Sequence, residues 1–427
     1  MNKLAILLVP LLGSVLILNS IACESGSEEA TLSPLIEPSS TNNSEPQVIL
    51  EPVEITIGNY SDKTGPAANA QITIDMALED MVRYYNEDAL IPGVTFKVIN
   101  YDSQLDPSKD IPGYEWLKEH GADLIWTPVP SAPITLKPLV EKDRLALFPL
   151  VPDRETVDPP GYVFGAGSTL LEYHAYTLLK WLAENDPDFP DGRPAKIGGA
   201  GWSTGYMETV FEAAKAYAKS HPEQYDWEGG HITNFAFMWG PEVEALKDCD
   251  YIIPPTMMNQ FVEQYRGSGY TGKFIGTTVH TAFFNLIDEA DTWDEIDGMQ
   301  IIMPNSWWNE ESEVILLAKD LLNRYHPGQL EEMMRTSSGY LTVNAAYIIL
   351  ELIREAVNEV GPKNFSSQAL YDAARGFTLE IDGRVTDSFN SNKRCSRDWF
   401  AIYEFDAEKR ELVRLIPNEW LDVIQEP

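Results

Sequence analysis

Short apolar stretches alternate with amphipathic stretches along most of the chain, from residue 53 onward. Apolar residues in short runs or at every second position predict strands, and apolar residues three and four positions apart predict helices. The predicted strands are 55–58, 94–100, 122–126, 145–149, 196–200, 250–253 and 273–276. The predicted helices are 71–85, 114–120, 134–142, 170–184, 206–219 and 258–267. This alternation predicts an α/β protein with parallel sheets that carry helices on both faces, and it places ligands at the carboxyl ends of the strands.

The length of the alternating region bears on the number of domains. About 370 residues of strand and helix pattern exceed what one hydrophobic core comfortably holds. We therefore expect two α/β lobes, each built on a doubly wound parallel sheet.

The first 22 residues depart from this pattern and have the features of an export signal. Lys3 gives a positive start, residues 4–18 are mostly apolar, and residues 20–23 read Ser-Ile-Ala-Cys. This ending resembles a bacterial lipobox, in which the cysteine takes a diacylglycerol before cleavage on its amino side. Ser20 stands where such sequences usually carry leucine, so an ordinary signal peptide cleaved elsewhere and an uncleaved anchor stay open as alternatives.

The segment that follows supports the lipoprotein interpretation. Residues 24–52 are rich in Ser, Glu, Pro, Thr and Asn, a composition with too few apolar side chains to pack into a core. The sequence thus predicts a signal peptide over 1–22, then a lipidated Cys23 and a tether over 23–52. We expect an exported domain that is held at a membrane and faces the periplasm or the cell exterior.

Charge and composition exclude several classes of function. The chain has 31 Lys plus Arg against 66 Asp plus Glu, and its formal net charge of −35 would repel nucleic acid. Its six histidines lack metal-ligand spacing, and two cysteines besides Cys23 cannot form a zinc site alone. We therefore expect no nucleic-acid partner, no metal and no cofactor.

Several short segments occur in the order and spacing of a known family. They are Ile57-Gly58 with Thr64-Gly65-Pro66-Ala67, residues 98–103 with Asp106-Pro107, Tyr162-Val163-Phe164, residues 298–304, and residues 378–387. Together, over roughly residues 53–405, they resemble the type I periplasmic binding proteins, specifically the branched-chain amino acid (Leu/Ile/Val) binding family of ABC importers.

The resemblance implies two lobes joined by three crossover strands, the last three segments being the crossovers. The first lobe would comprise 53–164 plus 304–377, and the second 165–303 plus 378–427. The lobes would close like hinged jaws on a small molecule and present the closed form to an ABC permease, as a monomer and without catalysis. A ligand sensor of the same fold, which would pass closure to a receptor kinase, is the alternative.

The ligand loops of this chain depart from the family pattern. In the family, hydroxyl and backbone groups of the first lobe hold an amino acid's carboxylate, and acidic residues of the second lobe hold its ammonium. Here the corresponding loops read Pro-Ser-Ala-Pro at 130–133 and Pro-Leu-Val-Pro at 149–152, and the acidic positions fall at Leu170 or Leu171 and at 277–278. A buried ammonium without partners is unfavourable, so we expect a solute other than a standard α-amino acid, of apolar, aromatic or amide-like character.

The candidate ligand-binding residues stand near the predicted strand ends. Ser131 and loop amides are candidate donors, Tyr60 and Trp202 candidate stacking walls, and Tyr206 and Thr278 candidate polar groups that close the cleft. For each aromatic residue taken singly, a place in the core or on the surface is the alternative. The full set is Tyr60, Thr64, Ser131, Ala132, Pro133 and Leu150 from the first lobe, and Trp202, Tyr206, Pro255 and Thr278 from the second.

Two further features leave alternatives open. Residues 201–205 read Gly-Trp-Ser-Thr-Gly between a predicted strand and helix, the context of a hydrolase nucleophile elbow at Ser203. However, the last 101 residues contain no histidine where that fold commonly carries its base.

On the family's layout Cys249 and Cys395 both fall in the second lobe, where a disulfide and two free thiols are equally compatible with an exported protein.

Overall fold

The computed structural model describes residues 52–427 except 235, 236, 337 and 418. The predicted signal peptide, the lipidated Cys23 and nearly all of the predicted tether lie outside the described residues. Within the described part, no helix is long and apolar enough to cross a membrane.

A four-stranded parallel sheet forms the centre of the first lobe. Its strands are β1 (Val53–Ser61), β2 (Val94–Asp102), β3 (Leu124–Thr127) and β4 (Ala146–Pro149), in the order β2-β1-β3-β4. The intervening helices are α1 (Ala68–Glu87), α2 (Asp110–Glu119), α3 (Ala132–Asp143) and the short α4 (Arg154–Val157). Seven consecutive residues of β1 are buried because the sheet is covered on both faces, as expected for a central parallel strand.

A larger sheet forms the centre of the second lobe. Its first strands and their helices are α5 (Leu171–Asn185), β5 (Ala195–Trp202), α6 (Tyr206–Ser220), β6 (Tyr225–Thr233), α7 (Gly240–Ala245), β7 (Tyr251–Ile253), α8 (Asn259–Gly267), β8 (Lys273–Thr277), α9 (Phe284–Ala290) and β9 (Gln300–Met303). Strands β5 to β9 pair in parallel in the order β9-β8-β7-β5-β6.

The chain then returns to the first lobe through four helices and ends in short strands. The helices are α10 (Glu313–Tyr325), α11 (Leu330–Thr336), α12 (Val343–Val360) and α13 (Ser367–Ala373), of which α10 and α12 pack on α1 and α13 on β4. The strands are β10 (Thr378–Ile381), β11 (Arg384–Ser388), β12 (Trp399–Asp406), β13 (Glu411–Arg414) and β14 (Leu421–Asp422). The buried residues of α12 recur three and four positions apart, which is the pattern of a helix with one face in the core.

Every predicted strand and helix is present, with boundaries that differ by a few residues, and the α/β fold with two lobes is confirmed. Two features differ from the expectation. The sequence analysis missed β6, an edge strand whose residues after Tyr225 alternate between exposed and partly buried and include few apolar side chains. The second sheet is not wholly parallel, because β12 pairs antiparallel with β9 and, across a tight turn, with β13.

The predicted crossover segments lie where the two sheets meet. Val163 bridges to Leu147 beside the first sheet, and Gly165 bridges to Cys395. Residues 298–304 contain β9, whereas residues 378–387 form most of the β10–β11 hairpin. The lobe boundaries assigned from the sequence stay a prediction.

The structure contradicts a disulfide between Cys249 and Cys395. Both are buried free thiols in different hydrophobic clusters. Cys249 lies beside Gly198 on β5, and Cys395 lies beside Gly165 at the first crossover. Burial raises the pKa of the Cys249 thiol to about 12, so this group stays protonated and acts as a small apolar side chain.

Candidate ligand-binding site

A cavity of about 220 Å³ lies at the carboxyl ends of the parallel strands of both sheets. The loops after β1 to β5 and β7 to β9 contribute to its wall, as expected for ligand sites of parallel α/β sheets. Representative lining residues are Pro66 after β1, Pro128 after β3, Leu150 after β4, Trp202 at the end of β5, Met257 after β7, Thr278 after β8 and Asn305 after β9.

Apolar side chains form most of the cavity wall. Trp202 is buried there with its ring packed against Trp239 and Phe237, at centroid distances of 5.4 Å each. A cavity of about 150 Å³ is enough to hold benzene. The site therefore suits one substituted ring or a short aliphatic chain.

The lining residues include no aspartate and no glutamate, and Arg397 is their one permanently charged side chain. His174 also lines the cavity, and burial lowers its pKa to about 4, so its ring is neutral at pH 7. A ligand ammonium would thus find no carboxylate partner among the described residues that line the cavity.

The loop after β1 satisfies its own backbone donors. The buried Asp62 carboxylate accepts hydrogen bonds from the backbone N–H of Gly65 at 2.5 Å and of Ala67 at 2.8 Å, at the start of α1. Thr64 donates through its hydroxyl to Asp102 at 2.6 Å, away from the cavity. These two backbone donors of the loop before α1 are therefore already satisfied and are not free for an anion.

Hydrogen bonds within the second lobe position its wall. The Tyr206 hydroxyl, at the first position of α6, is hydrogen-bonded to Thr277. The imidazole of His280 accepts from the Thr277 backbone N–H at 3.0 Å and contacts the carbonyl of Pro254 at 3.0 Å. Burial lowers the pKa of His280, so this ring is a neutral support. It fixes the 3-10 turn of residues 278–283, which supplies Thr278 and Phe283 to the cavity.

Three buried polar atoms of the wall lack a hydrogen-bond partner among the described residues: Ser168 Oγ, Thr278 Oγ1 and Asn344 Oδ1. Leaving such groups unpaired is unfavourable, on the order of 1–3 kcal/mol each. They are the positions where a ligand would gain most from hydrogen bonding.

The two lobes approach each other closely beside the cavity. Gly205, with φ +79°, precedes α6 in the second lobe. A Cβ placed on Gly205 would lie 3.9 Å from the Cα of Ser131, at the start of α3 in the first lobe. This contact is typical of a closed arrangement of the lobes.

Four of the ten residues selected from the sequence line the cavity: Leu150, Trp202, Tyr206 and Thr278. The structure places the other six elsewhere. Tyr60 is in the first-lobe core, where its hydroxyl donates to Asp110 at 2.7 Å, and Thr64 is bound to Asp102 as described. Ser131, Ala132, Pro133 and Pro255 lie one or more residues from Pro130 and Thr256, which do line the cavity.

The sequence analysis missed several polar lining residues, and the buried Ser168, His174, Asn344 and Arg397 are among them. They come from the crossovers, from α5 and from α12, the helix that returns to the first lobe. The sequence analysis selected residues only near the ends of predicted strands. One available signal was Asn344, a polar residue that begins the long apolar stretch of α12.

The candidate nucleophile Ser203 lacks the partner that a hydrolase needs. Its side chain is exposed, and its backbone N–H donates to Thr233 at 2.9 Å. Within the described residues no histidine is hydrogen-bonded to Ser203. We also find no group of three or more His, Cys, Asp or Glu suited to a metal ion in the described part of the chain.

Comparisons with known proteins point to a fold that holds small ligands at strand ends. Residues 54–221 match the family model described as "Periplasmic binding protein". No curated protein sequence matches the chain. The resemblance inferred from the sequence is thus supported over these residues by the family model, and the solved structures show the fold over most of the chain.

A branched-chain amino acid ABC transporter protein from Thermus thermophilus, with bound valine, is 19% identical with a TM-score of 0.74, over 87% of this chain and 97% of that one. A fatty acid ABC transporter substrate-binding protein from Thermomonospora curvata is 15% identical with a TM-score of 0.72, over 85% and 91%. A solute-binding protein from Rhodopseudomonas palustris BisB5, in complex with 3,4-dihydroxybenzoic acid, is 16% identical with a TM-score of 0.69, over 88% and 99%. The chain has the type I periplasmic binding protein fold.

Proposed function

We propose that this protein is an exported solute-binding lipoprotein of an ABC importer, anchored through Cys23, and that it captures a small apolar solute by closure of its two lobes. The observation that carries the proposal is a largely apolar cavity at the strand ends of both lobes, with no acidic residue in its wall. A ligand that touches both lobes favours the closed state, since only differential contacts shift such an equilibrium. The closed form would then dock on a permease.

The solute that fits this cavity is small and lacks an ammonium group. The cavity volume of about 220 Å³ accommodates one ring or a short chain. The neighbours' ligands support this range, because proteins of this fold bind valine, a dihydroxybenzoic acid and, by description, fatty acids. Among these, the aromatic and fatty acids fit an apolar wall better than an amino acid does. They also have no ammonium group, which would need a carboxylate that the lining residues lack.

Native mass spectrometry of the purified protein tests the proposal. We expect a bound small molecule without an amino group, released on denaturation. Leu150→Trp, which adds bulk to the cavity wall, should lose this adduct, whereas Ile111→Trp, at an exposed position outside the cavity, should keep it. If the wild type is isolated empty, small apolar solutes should raise its melting temperature by mass action.

Two outcomes would contradict the proposed function. One is an α-amino acid as the released ligand. The other is covalent labelling of Ser203 by a fluorophosphonate probe, in a protein that binds no small solute.

A further inference from the structure

We propose that the solute is an organic monocarboxylate and that its carboxylate binds at the hinge, against Arg397, Ser168 and Asn344, and not in the loops of either lobe. This inference deepens the proposed function and rests on it. Arg397 is 3% exposed, and Ser168 and Asn344 are each 6% exposed, and all three line the cavity. The hinge end of the cavity therefore carries its one permanently charged side chain together with two buried polar ones.

Arg397 is held where the three connections between the lobes meet. Its Nε donates to Asp387 Oδ1 at 3.1 Å and its Nη2 to Asp387 Oδ2 at 3.4 Å, after the third connection. Its Nη1 donates to the carbonyl of Pro304, at the second connection. Its backbone N–H donates to the carbonyl of Ser168 at 3.1 Å, at the first connection. A ligand group bound to Arg397 would thus contact the hinge itself.

The guanidinium keeps donors for a ligand. It has five N–H groups, and the three side-chain bonds to Asp387 and Pro304 use one each. Two N–H groups therefore have no partner among the described residues. Ser168 Oγ, whose hydroxyl can donate, is an unpartnered buried atom beside this end of the cavity, and a 180° rotation of the Asn344 amide would turn its NH2 group to the place of its unpartnered Oδ1. A carboxylate accepts several hydrogen bonds at once and suits this group of donors.

The electrostatics of the wall favour an anion over a cation. No carboxylate lines the cavity, and Asp387, which pairs with Arg397, is not among the lining residues. Leu171 and Tyr206, the first residues of α5 and α6, and Asn344, the second residue of α12, line the cavity at the positive ends of their helix dipoles. An ammonium in the same place would lie beside the like charge of the Arg397 guanidinium.

The first-lobe loops are less suited to this role. Asp62 already accepts the N–H groups of Gly65 and Ala67 at the start of α1. The N–H of Val129, after β3, donates to the Thr127 hydroxyl at 3.1 Å. These internal bonds occupy donors of the first-lobe loops, whereas the hinge supplies the one permanently charged donor among the lining residues.

Matched acids and amides test the charge requirement on the purified full-length protein. The probes are benzoate with benzamide, and hexanoate with hexanamide, in a thermal-shift assay at millimolar concentration, with calorimetry for each probe that raises the melting temperature. At least one acid should bind about tenfold or more tightly than its amide, since a hydrogen bond to a charged group is worth about a factor of ten or more. Equal or tighter binding of the amide would overturn the inference but leave the proposed function standing.

A single isosteric substitution tests the position. Asn344→Asp places a negative charge beside the proposed carboxylate, so it should weaken acid binding about tenfold or more and leave amide binding unchanged. Asp is tolerated at the start of a helix, so the variant should fold. The matched control is Asn358→Asp, which adds the same charge to the exposed face of the same helix and should change neither affinity.

A second variant tests Arg397 and keeps a positive charge beside Asp387. Arg397→Lys keeps the ion pair but loses the planar fork of donors, so acid affinity should fall by a similar factor. Arg266→Lys, at a half-buried arginine outside the cavity, is the control. Unchanged acid affinity in both Asn344→Asp and Arg397→Lys, or a released native solute without an acid group, would overturn the inference. If no probe binds and the released solute is an amino acid, the proposed function fails as well.

Discussion

At the scale of single residues, burial decides which groups of the cavity wall carry charge. His174 contacts the carbonyl of Leu170 through Nδ1 at 3.3 Å, and its ring packs edge-on against Phe400 at 4.7 Å. No acidic partner offsets its burial, which is why its pKa falls to about 4. The folded protein therefore holds this imidazole neutral over a pH range in which the unfolded chain protonates it.

The first prediction concerns the pH dependence that follows. Between about pH 6.5 and 4 the unfolded state binds a proton that the folded state does not, so His174 lowers stability as pH falls. His174→Asn removes this effect, and its free energy of unfolding relative to wild type should rise by about 2 kcal/mol from pH 7 to pH 5. Urea unfolding at both pH values measures the change. His120→Asn, at an exposed histidine, is the control, and equal slopes for wild type and His174→Asn would contradict the prediction.

At the scale of elements, a buried hydrogen-bond network ties α1 to the 3-10 turn over residues 339–342, which lines the cavity. The Tyr340 hydroxyl donates to Asp80 Oδ2 at 2.6 Å, and His326 contacts the same oxygen at 2.8 Å. Burial raises the pKa of Asp80, and the two partners partly offset this effect. The network positions the start of α12, and with it Asn344.

The second prediction tests this network. Tyr340→Phe removes one hydrogen bond to a buried carboxyl and should lower the free energy of unfolding by about 2 kcal/mol, measured by urea denaturation. It should also weaken solute binding, because the cavity turn loses its anchor. Tyr325→Phe removes an exposed bond to Glu87 and should change stability by less than about 0.5 kcal/mol. Equal effects of the two substitutions would show that the network does not hold the turn.

Local sequence pattern predicted about half of the described strands and helices, since elements with one apolar period depend on their own residues. It failed for β6, because an edge strand buries one face and needs few apolar side chains. It also failed for the antiparallel end of the second sheet, where pairing is set by distant parts of the chain. The strand-end rule placed Leu150 and Trp202 correctly at the cavity, whereas Arg397 lies there only because three distant connections meet.

At the scale of the whole molecule, the proposed function requires closure of the two lobes over the cavity. Ser131 and Gly205 approach each other across the lobes, although Ser131 does not line the cavity. Gly205 has a positive φ and no side chain at this contact, which allows the close approach. The contact couples the distance between the lobes to the occupancy of the cavity.

The third prediction concerns this contact. Ser131→Trp inserts a large side chain between the lobes, opposes closure and should weaken solute binding about tenfold or more, with little effect on the stability of the empty protein. Calorimetry with the identified solute measures the affinity. Ile134→Trp, at an exposed position on the same helix, should bind like wild type. Unchanged affinity in Ser131→Trp would mean that closure at this contact is not part of binding.

A paired titration tests most directly whether the cavity lacks a place for an ammonium group. L-phenylalanine and 3-phenylpropanoate differ only by that group, so calorimetry on the same purified protein isolates its contribution. We expect 3-phenylpropanoate to bind at least about tenfold more tightly, because the lining residues offer no carboxylate to an ammonium. Equal or tighter binding of phenylalanine would contradict the account.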